Sequence, residues 1–200
     1  EGLNIETLLK AVEPGETARM SGLGSFQTAG SGVLGGTVPE EQMKASLSFT
    51  ITGGQFSRMP LTSFLARETH VEEFNRMGFS EFRGDMRQEA GETSMDRLVA
   101  MGSVSSLEGS GKAGSDGTLD GLVFVKIGPS FRRNIKIPCM SAILLLPDGF
   151  AALPFAVRIG GTTNAPTYRL DPSSWDQAKG TITGFAGKMK NLVMGCRESS

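Results

Sequence analysis

Two hundred residues are enough for one domain, able to bury roughly 70% of its unfolded surface without disulfide or metal staples. Only 38% of the residues are hydrophobic and 7% aromatic, against 27 glycines, which points to extended structure with many turns or a sheet with one wet face. A formal charge of −1 excludes a global basic field that would hold nucleic acid by counterion release, and no run of about 18 apolar residues reads as a membrane-spanning helix.

The chain opens EGLNIE, with neither Met nor a signal peptide, as a piece cut from a longer protein would. Leu3–Val12 has its apolar residues Ile5, Leu8, Leu9 and Val12 at helical spacing, with Asn4 as cap. In the glycine-rich stretch Ala18–Gly36, Met20, Gly22, Gly24 and Phe26 are spaced by two, which favours a strand over a low-complexity linker. Ser46–Thr52, SLSFTIT, alternates cleanly, with Leu47, Phe49 and Ile51 on a dry face, and Gly53-Gly54 reads as its terminator. Pro60 then opens a helix whose stripe is Leu61, Phe64, Leu65, Val71, Phe74 and Met77, with Gly78 as its stop.

From Phe79 the period returns to two. Phe82, Gly84 and Met86 share a face, a turn falls within Gln88–Thr93, and Val99–Val104 reads as a further strand. Leu107, Gly109 and Gly111 face one way, Ser115-Asp116-Gly117 offers a turn, and Thr118–Gly128 pairs back as a strand. Ser130–Arg133 is a loop carrying part of a small basic cluster, Arg132, Arg133 and Lys136. Ile135–Leu146 reads either as one strand with a bulge at Pro138 or as a connection. Leu153–Ile159 and Thr167–Leu170 are strands around the turn GGTTNAP. Asp171-Pro172-Ser173-Ser174 starts a helix with Trp175, Ile182, Phe185, Met189 and Leu192 near one face. The sum is a mainly β domain: an antiparallel, curved sheet or groove with a few short helices, one of them C-terminal.

No constellation carries reaction chemistry. GSGKAG lacks the Ser/Thr after the lysine and the following helix that a phosphate loop needs, and G-x-G-x-x-G is not set in a βαβ unit. His70 lies in ETHVEE; Glu68, His70 and Glu72 at i, i+2 spacing cannot face one metal ion on a helix. There is no G-x-S-x-G elbow. Cys139 and Cys196 do not form a C-x-x-C motif, and both one disulfide and two buried thiols fit them. Neither a catalytic residue, a metal ligand nor a cofactor is assigned.

The order of phrases says more than any motif. An apolar strand ending in Gly-Gly and leading to a helix (KASLSFTITGGQFSRMPLTSFL), the hairpin SLEGSGKAGSDGTLDGLVFVKI, and the closing LPFAVRIGGTTNAPTYRLDP occur in succession. The chain resembles the C-terminal region of the AsmA-like family of bacterial envelope proteins over about residues 2–185. Val38–Met43 and Ile127–Pro138 depart from the family pattern, and QEAGET replaces its short turn. The resemblance implies one domain over residues 1–200, part of a longer periplasmic protein anchored to the inner membrane outside this chain. It also implies a non-enzymatic role in outer-membrane biogenesis or phospholipid transport through an apolar β-groove. Phospholipid or another lipid, and an envelope protein, are the partners expected; nucleic acid is not.

A Gly-rich sheet of this kind can curl into a trough. The residues expected to touch acyl chains are Leu47, Phe49, Ile51, Val123, Val125 and Ile127, with Arg132, Arg133 and Lys136 at head groups. Two alternatives stay open. Helix residues Phe64, Leu65, Phe185 and Met189 could cover that face as a dry core, or the domain could be a docking module with a filled core that meets an envelope partner at a sheet edge.

Overall fold

The computed structural model describes residues 2–7, 20–31, 44–129, 144–145 and 149–171. Among these residues ten strands form one antiparallel sheet: β1 (Leu3–Asn4), β2 (Met20–Ser31), β3 (Lys44–Ser57), β4 (Arg76–Glu89), β5 (Glu92–Met101), β6 (Ser105–Ala113), β7 (Leu119–Ile127), β8 (Leu144–Leu145), β9 (Ala151–Gly161) and β10 (Pro166–Asp171). Their spatial order is β1-β2-β3-β4-β5-β6-β7-β9-β10, with β8 paired to β9 beside this path. Helix α1 (Pro60–Thr69) and a 3₁₀ turn (Glu72–Asn75) lie in the connection from β3 to β4. The mainly β, antiparallel architecture is the expected one.

The sheet curls. Helix α1 follows β3 in the chain, yet the Phe64 ring on it lies 5.7 Å from that of Tyr168 on β10. Six strand spacings in a flat sheet would cover about 29 Å, and a ten-residue helix is only about 15 Å long. Bulges help the bend. Asp96 and Arg97 both point outward where β5 carries one residue more than its neighbours, and β9 carries extra residues opposite Phe124–Lys126.

Alternation assigns the two faces. The convex face carries cross-strand ion pairs: Lys44 with Glu89, Arg87 with Asp96 at 3.0 Å, and Lys112 with Glu92 at 2.7 Å. These pairs are largely exposed and contribute little stability each. The concave face carries the apolar residues. Its buried core joins Ile51, Phe56, Phe79, Leu107, Val125, Ile127, Leu153, Phe155 and Val157 to Phe64 and Leu65 of α1.

Several expected boundaries move. Leu3–Asn4 is a short strand against Leu23–Gly24, and only residues 5–7 are helical before the described segment ends; Asn4 does cap them, its Oδ1 accepting the Thr7 N–H at 3.0 Å. Gly53-Gly54 does not end β3. Gly53 takes φ 59° and Gly54 sits where a Cβ would lie 2.1 Å from the Ser21 carbonyl oxygen, so the glycines let the strand pass through a crowded bend. Helix α1 starts at Pro60 as expected but ends at Thr69, because His70 turns left-handed (φ 55°). Val71 is then the extended residue before the 3₁₀ turn, Phe74 belongs to that turn, and Met77 and Gly78 lie inside β4. The strand expected over Val99–Val104 runs instead over Glu92–Met101. The C-terminal helix, Cys139 and Cys196, and most of Ile135–Leu146 lie outside the described residues.

Candidate functional site

Register lays the concave face out in rows across the strands. One row reads Ile51, Phe82, Ala100, Leu107 and Val125. The next reads Phe49, Gly84, Leu98, Gly109, Val123 and Val157, and the third reads Leu47, Met86, Met95, Gly111, Gly121, Ile159 and Tyr168. The first row is closed: Ile51, Ala100 and Val125 are each 2% exposed. In the third row two glycines stand between Met95 and Ile159, and the face is left hollow there.

The hollow is a trough of about 290 Å³. Met86, Met95 and Leu98 form one wall, and Leu119, Val123 and Ile159 the other. Gly109, Gly111 and Ala113 succeed one another on the inward side of β6 and make the floor, with Gly121 opposite Gly111. The closed half, by contrast, holds a void of about 10 Å³ between Val71, Phe74, Ser105 and Ile127. The charged neighbours of the trough face away from it: Lys112 pairs with Glu92, whose carboxylate raises the lysine's pKa, and Asp120 lies 3.3 Å from Arg158. At the rim, Tyr168 is half-buried beside Ile159 and its hydroxyl pKa is raised by burial.

The six residues expected to contact acyl chains share the concave face but divide between its halves. Val123 stands at the boundary: it lines the inner end of the trough and, at 3% exposure, also belongs to the buried core. Leu47 is half-buried beside Met86, and Phe49 is half-buried with its ring 5.1 Å from Phe82. Ile51, Val125 and Ile127 belong to the buried core that includes Phe64 and Leu65. Phe185 and Met189, and the basic residues Arg132, Arg133 and Lys136, lie outside the described residues.

Sequence reasoning missed Met95, Leu98, Leu119 and Ile159 as parts of one site. The hollow could have been found by pairing the inward glycines of β6 with Gly121, since the turn at Ser115–Gly117 fixes that register. His70 is exposed at the end of α1, and no group of three or more His, Cys, Asp or Glu side chains converges as a metal would require among the described residues. No helix among the described residues is long and apolar enough to cross a membrane. Comparison with known proteins finds no matching family model, no matching curated protein and no matching solved structure.

Proposed function

We propose that this chain is a non-enzymatic lipid-handling domain of the bacterial envelope that holds acyl chains in the trough of its curled sheet. On this reading it faces the periplasm, is anchored to the inner membrane in a longer protein, and serves outer-membrane biogenesis or phospholipid transport. The supporting observation is the trough itself: apolar walls, a glycine floor, and charges turned to the opposite face. At about 290 Å³ it sits near the lower end of the roughly 300–1,000 Å³ usual for small-molecule sites. The cellular setting in this proposal is the one that the sequence resemblance to AsmA-like proteins implies. Native mass spectrometry of the purified chain tests the reading. Co-purified lipid, lost when Met95 is replaced by Asp, is expected; a lipid-free protein that also takes up no lipid from vesicles would refute it.

One observation favours the docking alternative. Residues 25–31 of β2 are exposed and, among the described residues, paired only to β3. MSGLGSFQTAGS carries no charge and no proline, the usual guards of a free edge. Such an edge can accept an added strand. A Gln27→Pro variant that keeps its lipid but loses an envelope partner would support this second role.

A further inference from the structure

The trough has one closed end. Its innermost row is Leu98, Gly109 and Val123. The row behind, Ala100, Leu107 and Val125, is packed shut at 2%, 6% and 2% exposure. From Gly109 the floor runs along β6 for about 14 Å to Ala113, where the strand gives way to the hairpin turn at Gly114–Gly117. A hydrocarbon can therefore enter from the hairpin end and must stop at Val123.

Resting on the acyl-chain reading, we propose that the trough measures its ligand: it takes the terminal part of one unbranched hydrocarbon chain, methyl end against Leu98 and Val123, and leaves the polar end outside. A cavity of about 150 Å³ accommodates the six carbons of benzene, so about 290 Å³ accommodates roughly twelve. The two charged residues along its lining, Lys112 and Asp120, turn their charged groups to the opposite face and into ion pairs, which suits a bare alkyl chain and not a head group. The two-chain body of a phospholipid does not fit whole; one of its chains does.

The test is a chain-length series. Saturated fatty acids from about eight to about eighteen carbons are titrated below their micelle concentrations, with affinity read by calorimetry. Each added methylene should tighten binding about fourfold until roughly twelve carbons, after which the gain stops. Gly121→Leu adds four carbons to the floor, where a Cβ has ordinary room 3.4 Å from Ile159, and should move the break to a chain about four carbons shorter. Affinity that keeps rising through the longest acid overturns the closed end while leaving lipid binding intact. If no acid binds at any length, the lipid reading and the measuring role fall together. The wild-type series decides the matter even if Gly121→Leu does not fold.

Discussion

The closed and open halves of the concave face are made by the same strands with the same alternation, yet one is a core and the other a trough. The difference lies in what each row places at its centre. Where Leu107 and Val125 stand on β6 and β7, the row fills and is buried together with residues of α1. Where Gly111 and Gly121 stand at the equivalent places, no side chain reaches across and about 290 Å³ stays open. Two residues on two strands thus separate a load-carrying interior from a space for a guest.

That comparison can be broken most directly with a charge. Val125→Asp in the closed half would leave a carboxylate without hydration or partner, and a loss of several kcal/mol, comparable to a whole domain's stability, is expected. Urea unfolding measures it; a variant as stable as wild type would mean that this half is wet. Next in size is the hairpin that fixes the two glycines opposite each other. Gly117 takes φ 79°, so Gly117→Val should cost about 1–2 kcal/mol and show as a lowered melting temperature. An unchanged melting point would remove the turn as the register-setting element.

The same charge in the open half should behave differently. Met95→Asp places its carboxylate where water reaches it, so stability should stay within about 1 kcal/mol of wild type while binding of a fluorescent fatty acid is lost. Loss of folding instead would make the trough a core after all.

The smallest effect concerns acid. Thr118 donates both its hydroxyl, at 2.7 Å, and its N–H, at 2.9 Å, to Asp116 Oδ1, and these bonds hold the carboxyl below its ordinary pKa. The linked stability is complete above the unfolded value near about 4 and fades as pH falls through the lower folded one. Asp116→Asn should lower the melting temperature slightly at neutral pH and flatten its decline in acid. Parallel acid limbs for the two proteins would count against the bond.

How far all this could be read from sequence depends on the local signal. The strand at Leu47–Ile51 and the hairpin around Ser115–Gly117 were legible because alternation and turn chemistry act within a few residues. Helix α1 was legible at Pro60 but not at its end, since Val71, Phe74 and Met77 continue a helical spacing that the left-handed His70 interrupts. Strand β5 was read late because the bulge at Asp96–Arg97 puts two residues, not one, between the inward-facing Met95 and Leu98 and so hides the period. The acyl-contact set suffered from the same blindness to depth. Alternation places Val123 and Val125 on one face, but only cross-strand neighbours tell that Val123 borders glycines and Val125 borders Leu107.

From β2 to β7 every strand pairs with its neighbour in the chain, and even the excursion through α1 returns to the strand it left. Such a meander asks for little loop-closure entropy at each step and keeps contacts local for a sheet protein. Pairings among β4, β5, β6 and β7 can form hairpin by hairpin. The contact between Phe64 and Tyr168 must wait until α1 and β10 have met. Pulse-labelled hydrogen exchange should then show the β4–β7 amides protected before those of β10; simultaneous protection would mean that the curl closes as one event. On this order of assembly the floor of the trough and the row at its inner end exist before α1 covers the neighbouring core, and a nascent chain presents an apolar strip that a lipid or a chaperone can cover first.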